Sequence, residues 1–559
     1  MTTPGTAWTI KDAVDSGDSG AAVAVLCLSA ITAHELQAFN AGVVSLLELP
    51  VPVNALEHSA LQLIPDALMG RFLLDEDVVQ LLGLLGKHGN PKEVLMAADE
   101  SLEMIIQAFD ETEDEDSRTH TAAVKLKIII DIYGDGLPRL PLGKKFTPED
   151  TVNPILRHIM RAFTEIVPAM SQTDTQVVLG SALIFIRVCY DWCVARQVDS
   201  GIAASKIFLT EGLHVIVSAS SAHIGAFLGL TTWAECFPNL IIPSRKVNTE
   251  EGGQPGRVLG QEALSISTLL GGTGESRLQL TRSKNAHDAI ASLVFLAHDS
   301  VVASSASIPS LIVSFPAVLM ALTKGRATDE AMSWILRCLR PSTGTIISET
   351  ALPEEIVLPL TSILVSIASL HPSAPIRQMT LSILTLVVAR ANSDTIRLQL
   401  LDELCNECPY PQMRVAAIGL AKKSILEALQ SEQTSSLLAS PEVLPMVLKI
   451  LTPNPPDLFT SPSTTPEMFL ESHEPGRLVE ALGLFYVLNQ RDTSNQTRIR
   501  DVETRRSVHT TLLFPLKEFL SRMQVDETSG ELVGPQMGLF ALEMALDRVE
   551  VVVVSGQHL

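Results

Sequence analysis

The chain has 559 residues, with 63 acidic and 41 basic side chains and a formal charge of −22. Hydrophobic residues make up 46% and charged residues 19%, which is too apolar for a disordered chain and ample for a sizeable core. The acidic balance and the scarcity of aromatics, at 4%, argue against nucleic acid as a partner, because phosphate binding needs clustered cations and base stacking needs rings.

Taken in chain order, Met1 to Thr9 carries no basic segment leading into an apolar one, so no secretory signal is expected. The apolar run Ala21 to Ile31 is too short to span a bilayer. Asn90-Pro91-Lys92-Glu93 predicts a helix start, with Asn90 at the N-cap, Pro91 at N1 and Glu93 placed for a capping box. Asp110 to Asp116, an unbroken DETEDED, predicts an acidic break. Gly212 to Ala234 and Ser300 to Thr323 lack ionised side chains and predict buried helices, not membrane spans. Arg245 to Gly256 predicts a long loop. Leu360, Ile363, Leu364, Ile367 and Leu370 predict one apolar helix face. Pro453, Pro455, Pro456, Pro462 and Pro466 forbid a helix through that segment, and Asn489 to Asn495 predicts a further loop. Val551 to Val554 is the only strong β-branched run and fits the end of a last helix.

One stretch repeats. Pro372, Ile376, Arg377, Thr380, Leu381 and Leu384 align with Pro409, Met413, Arg414, Ala417, Ile418 and Ala421 at a constant offset of 37, with a helix over Asp394 to Cys405 between them. Turn, helix, loop, helix is the grammar of a helical solenoid. The fold expected is all-α, a HEAT- or armadillo-like repeat superhelix. Its divisions are an N-terminal helical region over 1–109, an acidic loop over 110–120 and middle repeats over 121–359. A C-terminal HEAT-like region follows over 360–559, with a proline-rich loop at 453–466.

The block from Cys408 to Leu420, CPYPQMRVAAIGL, resembles the signature of the YAP-binding/ALF/glomulin family. The His371-Pro372-Ser373 turn and Asn90-Pro91-Lys92-Glu93-Val94-Leu95 resemble two further segments of it, and the proline-rich loop gives the chain a fungal look. The resemblance implies a non-enzymatic helical adaptor without a cofactor. In that family, the animal glomulin branch masks the RING subunit of cullin-RING ubiquitin ligases, and the plant branch acts on the same subunit. The fungal branch is associated with a bZIP factor of the oxidative stress response and with kinetochores. The partner implied is one of these proteins, with no direct nucleic acid and no membrane. Pro409, Pro411, Met413 and Arg414 then count as structural members of the family motif, and no catalytic or partner-contacting residue carries over.

Seven scattered cysteines suit reduced thiols in the cytosol or nucleus. Cys405-x-x-Cys408, just before a helix start, reads either as a redox pair or as two packed thiols. It lacks the further ligands a metal site needs. Cys189 and Cys193, four residues apart, read as core packing. Gly271-Gly272-Thr273-Gly274 lacks the Lys-Ser/Thr of a phosphate loop and reads as a helix connection. Arg498, Arg500, Arg505 and Arg506 are the densest basic cluster, either a site for an acidic partner or a solvated face balanced by Asp501 and Glu503. Arg377 and Arg414 are expected to tie neighbouring turns together. No metal, catalytic or cofactor-binding residue is nominated.

Overall fold

The computed structural model describes residues 60–69, 76–111, 115–141, 147–196, 202–240, 249–340, 351–431, 436–452, 458–459, 466–527 and 536–555. They are all-α and divide into two compact units between Arg340 and Pro341. The first unit contains α1 (Ala60–Met69), α2 (Glu76–His88), α3 (Pro91–Glu111), α4 (Glu115–Gly136), α5 (Pro148–Glu165), α6 (Gln172–Arg196) and α7 (Ile202–Ser220). It continues through α8 (Leu228–Cys236), α9 (Thr249–Leu269), α10 (Gly274–Leu280), α11 (Ala286–His298), α12 (Ser300–Ser304), α13 (Ile308–Lys324) and α14 (Thr328–Leu339). The second unit contains α15 (Glu354–Leu370), α16 (Ala374–Ala389), α17 (Asp394–Asp402), α18 (Pro411–Gln430) and α19 (Leu444–Leu451). It ends with α20 (Pro466–Glu471), α21 (Glu474–Arg491), α22 (Val502–Val508), α23 (Phe514–Glu527) and α24 (Gln536–Ser555). The division expected at 359/360 falls inside α15.

Local chemistry sets many of these boundaries. The Asn90 carboxamide accepts the Lys92 N–H at 3.0 Å and starts α3 as its sequence predicts. Thr147 and Asp150 form a reciprocal capping box at the start of α5. Thr273 caps α10, so the glycine-rich segment is a helix connection, with Gly271 at φ +106°. The valine run prolongs α24 to Ser555.

Other boundaries correct the expectations. Of the expected acidic break, Asp110 and Glu111 end α3 and Glu115 and Asp116 begin α4, while the three positions between them lie outside the described residues. The loop placed at Arg245 to Gly256 is helical from Thr249 despite Pro255. Arg257 anchors α9 just beyond that proline, donating to the Ala226 carbonyl and the Thr231 hydroxyl. Gly212 to Ala234 spans two helices separated by a turn in which Phe227 is left-handed, and Ser300 to Thr323 is likewise split into α12 and α13. Among the described residues two helices, α6 and α7, are long and apolar enough to cross a membrane, and about half of each apolar window is buried. On α15, Leu360 and Leu364 are buried but Leu370 at its C-terminal end is 64% exposed. The helix α21 runs on to Arg491, so the loop expected from Asn489 begins at Asp492.

The 37-residue offset extends to burial. Thr380, Ile383, Leu384, Val387 and Val388 of α16 are buried, and so are their counterparts Ala417, Leu420, Ala421, Ser424 and Ile425 of α18. Burial therefore follows the offset at these five positions and departs from it at Ile376 and Leu381, which are half-buried where Met413 and Ile418 are buried. Of the proline-rich segment, Leu458 and Phe459 are buried, Phe459 lying 5.4 Å from the Phe519 ring, and Pro466 begins α20. Pro453, Pro455, Pro456 and Pro462 lie outside the described residues, as do Ala21 to Ile31 and Cys27.

Helix C-termini leave carbonyls without intrahelical partners. Here arginines reach many of them. Arg139 donates to Gly86 and Gly89 at the end of α2, and Arg377 to His371 (2.7 Å) and Pro372 (2.9 Å) after α15. Arg477, itself paired with Glu474 in the interior, donates to Ile450 and Thr452 at the end of α19. Arg414 departs from its repeat equivalent: it is half-buried, its Nε is shut from solvent without a hydrogen bond, and among the described residues it ties no turn. Truncation should separate the two. Arg377→Ala is expected to cost about 1–3 kcal/mol and Arg414→Ala clearly less in urea unfolding, and equal losses would show that the turn ties carry no stability.

Candidate protein-binding surfaces

The structure separates the four arginines of the basic cluster. The loop after α21 is organised by the buried Asp492, whose carboxylate accepts the N–H groups of Gln496 and Thr497 at 2.8 and 2.9 Å. Arg500 is built into this loop: it donates to the Asp492 and Thr493 carbonyls at 3.3 and 3.2 Å, while its N–H meets Asn495 Oδ1 at 2.9 Å. Arg505 donates to Asn489 Oδ1 at 3.2 Å, and burial together with the nearby Arg500 lowers its pKa. Arg498, at φ +60°, and Arg506 are exposed. Among the described residues none of the four forms an ion pair with Asp501 or Glu503. Two of these cations face solvent, and two hold the loop.

Cys405 and Cys408 are free thiols, 2% and 7% exposed, flanking the junction between α17 and α18. Cys405 sits in a π-helical turn, Glu403–Glu407, that continues α17. Burial is the main cause that pushes its thiol far above the ordinary cysteine range, with Asp402 adding to it. A reactive thiol needs the opposite environment, a stabilised and accessible thiolate. Cys189 and Cys193 are buried on α6, and burial raises both, Cys193 to about 11. In the family block, Pro411 occupies the first turn of α18, Met413 is buried at 3% exposure and Pro409 is exposed. These residues set a turn and a core contact.

Two features escaped the sequence reading. The first is a buried polar cluster in the first unit. Asp329 caps α8, accepting the Leu228 and Gly229 N–H groups at 2.6 and 2.9 Å. Its neighbour Glu330 lies 3.8 Å from His298 Nε2, both side chains almost fully buried and neither atom hydrogen-bonded. Gly260 permits this, since a Cβ there would fall 2.1 Å from the imidazole. Thr232 and Ser333 share a hydrogen bond of 2.8 Å within the same helix pair. No periodicity announces such a cluster, because its members come from four helices.

The second feature is an exposed apolar face on α24. Phe540, Met544 and Val551 are 62%, 40% and 66% exposed, while Leu542, Leu546 and Val549 on the other side are buried. Their spacing is helical, but a sequence cannot say which apolar stripe the core takes.

Residues 301–546 match the family described as "Uncharacterised protein family, YAP/Alf4/glomulin". The likeness to that family covers this segment, less than half of the chain. No curated protein matches it. The matched segment takes in the repeated helices α16 and α18, the block from Cys408 to Leu420 and the basic loop.

Two predictions follow from the environments of these groups. Burial and the neighbouring Glu330 push Asp329 up to about 7. A carboxyl raised on folding stabilises fully below its unfolded pKa and loses that contribution as pH climbs through the folded value. The stability of wild type minus that of Asp329→Asn should therefore fall between about pH 4 and 7. The difference is the readout because His287, lowered by burial, imposes the opposite slope at acid pH. A pH-independent difference would mean that Asp329 is ionised throughout. For the thiols, mild peroxide followed by mass spectrometry should leave Cys405 unmodified in the folded protein and oxidise it after unfolding. Selective oxidation in the native state would restore the redox reading.

Proposed function

We propose that this protein is a non-enzymatic adaptor of the cytosol or nucleus that binds a protein partner and masks its working face, the partner being the RING subunit of a cullin-RING ubiquitin ligase. The observation that carries this reading is the family match over residues 301–546. The repeated burial pattern of α16 and α18 supports a HEAT- or armadillo-like arrangement, in which stacked helix pairs offer an extended surface. Masking requires a preformed surface of standard interface size and no chemistry. The second unit is the region assigned to the partner, and Arg498 and Arg506 are the cations left available in its basic loop.

A second reading is a scaffold working with a bZIP stress factor or at the kinetochore. The family's designation refers to the kinetochore, which favours the latter. A thiol mechanism for the stress role is disfavoured by the burial of Cys405.

Calorimetric titration with the RING subunit on its cullin tail, at physiological salt, tests the first reading. Saturable binding tighter than about 1 μM, equivalent to roughly 8 kcal/mol, is expected. Reversing Arg498 and Arg506 to Glu should weaken binding about tenfold without unfolding the protein. Reversing Arg500 and Arg505 should destabilise the loop itself. Absence of heat at two temperatures would remove ligase masking and favour the scaffold reading.

A further inference from the structure

The helices α18, α21 and α24 leave between them an open groove of about 590 Å³. One wall is a stripe along α21, where Val479, Gly483, Tyr486 and Val487 recur at i, i+4, i+7 and i+8. The other is the exposed face of α24, with Phe540 and Met544 at i and i+4. The side of α24 that attaches it to the unit is already buried, so these two side chains are not needed to hold the helix in place. The α21 wall leaves open space at Gly483, where a Cβ would meet nothing within 4 Å.

The rim gives the groove its sign. Lys422 and Glu480 pair at 3.1 Å and neutralise one another. Arg548 is exposed and, among the described residues, has no ion-pair partner. An apolar trough with a surplus cation stands out in a chain of charge −22. Its walls are helices, whose backbone groups are already paired, so an extended peptide has no edge to join. Ridges of a third helix can fill the space between two others.

We propose that this groove docks one amphipathic helix of a partner protein, its apolar stripe against Tyr486, Phe540 and Met544 and a carboxylate facing Arg548. The inference rests on reading the second unit as a protein-binding module, and it specifies the chemistry of the partner segment.

The test uses the full chain and two fluorescent helical peptides of about five turns. Both carry a leucine stripe, flanked in one by Glu and in the other by Lys. Anisotropy at physiological salt should show saturable binding of the Glu peptide and weaker binding of the Lys peptide. Gly483→Leu, which puts a bulky side chain into the groove from the α21 wall, should weaken binding roughly tenfold or more, and Arg548→Glu should transfer the preference to the Lys peptide. Phe540→Ser alters an exposed side chain and supplies the same loss should Gly483→Leu fail to fold by circular dichroism. Binding of neither peptide, equal binding of both, or binding indifferent to these variants overturns the proposal. So does a peptide-free dimer dispersed by Phe540→Ser, which would make a second copy the occupant. Titrating the RING subunit against the same variants separates the two readings. Peptide binding without RING binding removes masking and keeps the groove, and the converse removes the groove alone.

Discussion

The structure depends on how helix ends are finished inside a packed all-helical chain. Each helix that stops beside another leaves carbonyls that water reaches poorly, and an unpaired buried carbonyl is costly. Arg139 and Arg477 answer this by laying two guanidinium nitrogens across two carbonyls at a helix terminus, and Arg377 and Arg500 by reaching two carbonyls from one terminal nitrogen. The cation also faces the negative end of the helix dipole. Lysine, a single point charge on a flexible stem, matches this geometry poorly. The ties hold short turns in place, and the turns in turn set which helix faces meet.

That use of arginine explains why the basic cluster looked more potent in the sequence than in the fold. Local charge density counts Arg498, Arg500, Arg505 and Arg506 alike. The fold spends Arg500 on backbone carbonyls and Arg505 on the Asn489 carboxamide, and leaves Arg498 and Arg506 to solvent. The contrast between Arg377 and Arg414 has the same origin. Both occupy one position of the repeat, yet only Arg377 finds carbonyls to bind. A repeat register fixes where a side chain starts; what lies within reach of its tip depends on the neighbouring turn.

The all-helical class, the Asn90 cap, the start of α18 at Pro411 and the helical valine run were legible in the sequence because each rests on chemistry within a few residues. The 37-residue register was legible because burial follows it at five positions. What stayed hidden depends on distant partners. Pro255 reads as a helix breaker until Arg257 is seen anchoring α9 to Ala226 and Thr231. The pair His298 and Glu330, and the choice of which stripe of α24 is buried, depend on helices far apart in the chain. The groove belongs to this second kind: Phe540 and Met544 look like core residues until the packed face is known to be the other one.

The cap on α8 bears on the order in which the first unit can be completed. The carboxylate that satisfies the Leu228 and Gly229 N–H groups belongs to Asp329, 101 and 100 residues further along. During synthesis from the N-terminus, that helix start emerges well before its acceptor. Most arginine ties of the chain close over far shorter separations and can form as the chain appears. The segment around α8 must instead wait for α14, so the last helix of the first unit acts as the latch that ends its assembly on the ribosome.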